Sequence, residues 1–209
     1  MTVAILFARA DSCYKALSGC DVYDMERDAR TYDGPRPVVA HPPCRAWGRL
    51  KHMANPRPDE RNLARLAVAL VREFGGVLEH PAGSQLWAAQ KLPAPGMRDA
   101  YGGWTLPVSQ HWWGHRAEKK TWLYIVGCEP KDVPQLPIVL GDAPMVVGNG
   151  TTNHPQRGDL GWRPQIPHAE REHTPPAFAE WLCELARRCK AHNDTGNGPR
   201  QAQLAEGPR

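Results

Sequence analysis

The sequence predicts an α/β fold, an open and mostly parallel twisted sheet with helices on both faces. Three observations predict it. Short runs such as Val3-Ala4-Ile5-Leu6-Phe7-Ala8 and Pro37-Val38-Val39-Ala40 are apolar on both faces, as strands buried between helical layers are. Between Asn55 and Phe74, Leu63, Leu66, Ala67, Leu70 and Val71 recur at helical spacing, and a third apolar run, Val77-Leu78, follows at once. Strand, helix and strand in that order form a βαβ unit whose right-handed crossover makes the two strands parallel.

The elements follow in order. After the first run, Ser12 or Asp11 is placed to cap a short helix reaching Leu17. Asp21-Val22-Tyr23-Asp24 reads as a second strand, ending in a cluster of acids and bases. Pro58 and Asp59 are a suitable start for the amphipathic helix, and Gly75-Gly76 a suitable stop. From 82 to 110 the chain is rich in Gly, Pro and Trp with little periodicity, which predicts a long functional loop. Thr121 to Gly127 is aromatic and β-branched and reads as a strand. Gly148 to His154 is a polar turn region, either a phosphate contact or only a surface loop. Thr174-Pro175-Pro176 then starts a last helix with the stripe Phe178, Trp181, Leu182, Leu185 and Ala186. The expected organisation is one domain over 1–190 and a disordered tail over 191–209.

The charge balance is modestly basic, 26 Lys+Arg against 22 Asp+Glu, which permits a phosphate-rich partner without requiring one. Six cysteines show no Cys-x-x-Cys pair, so the expectation is reduced thiols in the cytoplasm and no metal. No apolar run reaches membrane-spanning length, and no membrane partner is expected. The chain is read as a monomer or small oligomer.

The chemistry centres on His41-Pro42-Pro43-Cys44. Two prolines end the strand and present Cys44 at its carboxyl end, where open α/β sheets place ligands. Arg45, Arg49 and Lys51 follow, and nearby cations favour thiolate over thiol. Cys44 is therefore either a nucleophile or a small buried apolar residue. A second strand end, Leu78-Glu79-His80-Pro81, lies 35 residues beyond the cysteine and at the same sheet edge.

In these strand ends the chain resembles the DNA C5-cytosine methyltransferases. That family has a Pro-Cys nucleophile loop after a strand, similar to 41–44 here. It has a Glu-Asn-Val strand end, similar to 78–81. Its Gln-x-Arg-x-Arg segment, running into a strand that ends in glycine, resembles Glu118-Lys119-Lys120-Thr121-Trp122 and the residues after it. The resemblance implies a methyltransferase-like Rossmann variant, here without a large recognition domain. It implies that Cys44 adds to C6 of a pyrimidine, that Glu79 donates a proton at the base edge, and that Lys120 holds the base and flanking phosphate. The base would be flipped out of the duplex or unpaired. Residues expected around it are His41, Pro43, Arg45, His80, His115, Arg116, Trp47 and Trp113, with Trp112 a further stacking candidate and each tryptophan alternatively a core residue. Phe7, Arg9, Asp11, Ser12, Lys15 and Asp24 would hold the cofactor or donor.

The family's first strand ends in Phe-x-Gly-x-Gly, whereas this chain has Phe7-Ala8-Arg9-Ala10-Asp11. Without glycine, and with Arg9 and Lys15 near a sulfonium, the donor side suits an anion better than S-adenosylmethionine. The expected function is therefore a DNA base-modifying transferase, of the kind found in phage thymine hypermodification. It would join an amino acid or similar amine to a 5-substituted deoxyuridine. The alternatives are a minimal adenosylmethionine-dependent cytosine C5 methyltransferase and a non-catalytic DNA-binding or inhibitor protein on the same scaffold.

Overall fold

Strand β1 (Val3–Leu6) forms the first buried rung of a six-stranded sheet in the computed structural model, which describes residues 1–48, 51–148 and 155–191. The chain then makes a 3₁₀ turn at Cys13–Ala16, capped by the Ser12 hydroxyl on the Tyr14 N–H, and enters β2 (Cys20–Val22). β3 (Val38–Ala40), α1 (Glu60–Phe74) and β4 (Gly76–Pro81) complete the expected βαβ unit. α2 (Leu86–Ala89), β5 (Trp104–Ser109), β6 (Lys120–Val126) and α3 (Pro176–Arg188) follow.

The strand order is β2-β1-β3-β4-β6-β5. β1 pairs in parallel with β2 and β3, and β3 with β4, while β6 runs antiparallel to both β4 and β5. From β1 the chain goes out to β2 on one side and returns to β3 on the other. The reversal lies between β1 and β3, so their carboxyl ends flank a crevice of the kind where such sheets bind ligands.

Strand alternation divides the core into two layers. Val3, Ile5, Val39, Val77, Leu123 and Ile125 face α3, whose Phe178, Leu182 and Leu185 are fully buried. Ala4, Leu6, Val38, Leu78 and Tyr124 face α1 through Ala64, Val68 and Val71. Each large apolar side chain buried this way contributes about 2 kcal/mol. Gly76 admits the close approach of β3 and β4. Its φ is +125°, and a Cβ there would lie 2.0 Å from the Val38 carbonyl oxygen. Only glycine fits.

Several boundaries differ from expectation. β1 stops at Leu6 rather than Ala8 because Phe7 turns the chain at φ 61°. β2 covers Cys20–Val22 rather than 21–24, and α1 begins one residue after Asp59, which is left-handed. The segment 82–110 is not one loop, since it contains α2 and β5. Pro107 argues against a strand in the sequence, yet β5 is a sheet edge, where a missing N–H costs no ladder bond. The polar turn from residue 149 onward and the tail beyond Ala191 lie outside the described residues. No helix among the described residues is long and apolar enough to cross a membrane.

Candidate active site

β1, β3 and β4 run parallel, so the turns after them share one rim of the sheet. β3 ends when His41 donates its backbone N–H to the Leu6 carbonyl and the two prolines follow. The Cys44 carbonyl then accepts the N–H groups of Trp47 and Gly48, closing a tight turn that holds the cysteine at the rim. The Trp47 carbonyl takes the Gln85 N–H at 3.0 Å, which ties this turn to the segment leaving β4.

A continuous polar line crosses the rim. The Tyr14 hydroxyl lies 2.9 Å from His41 Nε2, and His41 Nδ1 lies 3.1 Å from Glu79 Oε2. The other carboxylate oxygen accepts the Gln110 amide at 2.9 Å and the Thr121 hydroxyl at 3.4 Å. Burial by itself pushes the Glu79 carboxyl up. The His41 hydrogen bond and the positive charges of Lys119 and His41 prevail, holding it at about 2. Glu79 is thus a buried carboxylate. An ionised Glu79 accepts from Nδ1–H, which leaves Nε2 facing the Tyr14 hydroxyl.

Cys44 lies within the electrostatic reach of the same group. Burial and the negative charge of Glu79 push its thiol up, while Lys119 pulls it down. Among the described residues the expected following cations are engaged elsewhere: Arg45 pairs with Glu60, and Lys51 donates to Gln85 Oε1. The resting sulfur is therefore a thiol rather than a thiolate.

The cation at the site is Lys119 and not Lys120. In the β4–β6 register Glu79 stands opposite Leu123, so residues 119, 121 and 123 share its face of the sheet. Lys120 points the other way, exposed and paired with Glu118 at 3.4 Å. Lys119 Nζ donates to the His173 carbonyl at 3.2 Å, beside Glu172, whose charge also reaches Cys44.

Other expected contacts fall elsewhere. Trp47 is buried as a core residue, and Trp113 packs against Phe178 and Trp181 at ring distances of 4.7 and 4.9 Å. His80 is fully buried on the opposite face from Glu79, near Trp87, and burial holds its ring down at about 4. His115 Nδ1 lies 2.8 Å from the Ala117 carbonyl, and Arg116 pairs with Glu170. Ring nitrogens of Trp47, His80, Trp113 and His115 are buried without a hydrogen-bond partner among the described residues, and Arg116 is held in its ion pair. His41 and Pro43 remain there, half-buried. Tyr14, Gln110, Thr121 and Lys119 join the site without having been expected. A Gln at a strand end could be marked in sequence only if β5 had been recognised.

The donor side is internally paired. Arg9 bonds Asp11 at 2.9 Å and Glu172 at 2.8 Å, and Lys15 bonds Asp24 at 2.7 Å. The Asp24 carboxylate also accepts the Glu26 and Arg27 backbone N–H groups. These residues do not fit an adenosyl sulfonium: the acid at the end of β2 already has three donors, and an arginine stands at the crevice. The expected free anion site at Arg9 and Lys15 is absent too, since acids already neutralise both. Ser12 serves as a cap.

Comparison of the chain with protein-family models, with curated proteins and with solved structures gives no match.

Proposed function

We propose that this protein is a DNA pyrimidine-modifying transferase that activates C5 of the base by adding Cys44 to C6. The observation that carries the reading is the gathering of a sulfur, a buried carboxylate and a lysine at one rim, beside the crevice between β1 and β3. A pyrimidine ring is a poor nucleophile at C5. The Cys44 thiol first gives its proton to solvent; when the thiolate bonds to C6, the C5=C6 electron pair moves toward C5 and O4, and the ring becomes an enolate. Glu79, being ionised, acts as an acceptor and not as the proton donor implied by the resemblance. Among the described residues its Oε2 takes one donor, His41, and it can still accept the N3–H of a uracil or thymine ring, which cytosine lacks. Lys119 takes the place assigned to Lys120 and stabilises the developing negative charge.

For a 5-methylene carrying a leaving group such as phosphate, the enolate expels that group and forms an exocyclic methylene. An amine, an amino acid being one example, attacks the methylene carbon and regenerates the enolate. Expulsion of Cys44 restores C5=C6, and the amine loses one proton. The sequence needs no adenosyl donor, in keeping with the ion-paired ends of β1 and β2.

Oligonucleotides containing 5-fluoro-2′-deoxyuridine test the first step. Wild-type protein is expected to give a denaturation-resistant adduct of one protein and one strand by intact mass spectrometry, and Cys44→Ser none. Binding without an adduct in either protein would overturn the proposal in favour of a non-catalytic DNA-binding protein.

A further inference from the structure

We infer that the cationic face formed by Lys51, Arg57, Arg61 and Arg65, beside the Cys44 turn, is where a DNA strand lays its phosphodiester backbone. The inference deepens the function proposed above and rests on it for the identity of the polyanion. Residues 45–65 hold six Lys or Arg against two Asp or Glu, an excess equal to the formal net charge of +4 of the entire chain. The remainder of the protein is therefore charge-balanced, and the surplus lies in the stretch of sequence that directly follows the proposed nucleophile.

Both acids of the segment are already engaged. Glu60 pairs with Arg45, and Asp59 pairs with Arg30 at 3.1 Å while also accepting from the Asn62 amide. Among the described residues no carboxylate lies in an ion pair with Lys51, Arg57, Arg61 or Arg65, in contrast to Arg9, Lys15, Arg72 and Arg98. Three of the four are also held in place. The Arg61 and Arg65 guanidinium carbons stand 4.5 and 5.8 Å from the centroid of the buried Trp47 ring, and Lys51 Nζ bonds Gln85 Oε1 at 2.6 Å. Little side-chain entropy remains to be lost when a phosphate arrives.

Ala46, Lys51, His52, Arg57 and Arg61 line an open concavity of about 340 Å³, with the carboxylate of Asp59 also in its wall. Ala46 is two residues from Cys44, so a strand seated here has a base within reach of the rim. Three of the four cations are arginines, whose planar fork suits phosphate oxygens. Sequence-independent binding of this kind releases counterions, and its affinity falls steeply with salt.

The test uses the full chain carrying Cys44→Ser and 20-nucleotide strands and duplexes without a reactive base, with anisotropy read across a salt series. Lys51→Gln, Arg57→Gln and Arg65→Gln are each expected to lower the slope of log affinity against log salt by about 0.7 on single strands and about 0.9 on duplex. That corresponds to about five- to eightfold weaker binding at 0.1 M salt. Lys131→Gln, in the turn Pro130–Asp132 at the opposite end of the sheet, serves as the control and is expected to change nothing. Thermal melting checks that each variant folds. Lys51 and Arg57 touch no core ring and keep the test decisive if Arg65→Gln is unstable.

Slopes that stay at the wild-type value would overturn the inference. So would equal or tighter binding to anionic phospholipid vesicles that depends on the same residues. The two proposals fail separately. A Cys44 adduct with unchanged slopes removes only the docking face, and lowered slopes without an adduct remove only the chemistry.

Discussion

Replacing Glu79 with glutamine separates the charge of this residue from its shape. The amide oxygen can still accept from Gln110, and the amide NH₂ can donate to His41 Nδ1 once the imidazole carries its proton on Nε2 and donates it to the Tyr14 hydroxyl, so the line of hydrogen bonds is kept and the negative charge is lost. The Glu79 carboxyl sits at about 2 against an ordinary 4.5. At about 1.4 kcal/mol per factor of ten, that gap corresponds to about 3 kcal/mol by which the folded state prefers the ionised form. Between those two values the unfolded chain binds more protons than the folded one. The stabilisation is therefore complete above pH 4.5 and is lost as the pH falls through about 2. Glu79→Gln imitates the protonated form at every pH. It is expected to be up to about 3 kcal/mol less stable at pH 7, with the difference shrinking below pH 4.5 and vanishing near pH 2. Urea denaturation of both proteins at pH 7, 4 and 3 measures the difference directly, since every other titrating group is common to the two. A difference that stays constant from pH 7 to pH 3, or a glutamine variant more stable than wild type, would refute the account of the site as a buried carboxylate held by His41 and Lys119.

Three further outcomes are expected. Lys119→Gln removes a positive charge that draws the Cys44 thiol down, so alkylation of Cys44 at pH 8, read by peptide mass spectrometry, should slow severalfold; Lys120→Gln should leave it unchanged, and the reverse result would restore Lys120 to the site. His80 is held at about 4 against 6.5, so the folded state binds fewer protons than the unfolded chain between those values and stability falls as the pH drops from 6.5 to 4. His80→Gln should flatten this interval in denaturant titrations, and an undiminished acid limb would assign the loss to another group. Gly76→Ala forces a Cβ to within 2.0 Å of the Val38 carbonyl oxygen at positive φ and should cost about 4 kcal/mol or more, read as lost soluble protein or a collapsed melting temperature; a melt close to wild type would show that β3 and β4 can move apart.

The sequence by itself determined the layers of this protein. Leu63 to Val71 repeats at the period of a helix, the runs at 3–8 and 37–40 are apolar on both faces, and Gly75-Gly76 stops one element and starts the next. Patterns of that kind are local, and the local chain obeys them. The parallel βαβ crossover then put Cys44 and Glu79 on one rim without any need for coordinates. What the tertiary structure alone decided was which side chain faces which. Lys119 and Lys120 are adjacent and identical in kind, and only the pairing of Glu79 with Leu123 selects the first. Trp47, Trp113 and His80 have the chemistry of ligand contacts, but packing against α1, α3 and Trp87 buries them. Arg9 and Lys15 look like free cations until Glu172, 163 residues from Arg9, and Asp24 close on them. Register, long-range pairing and burial depend on residues far apart in the chain, and no local pattern encodes them.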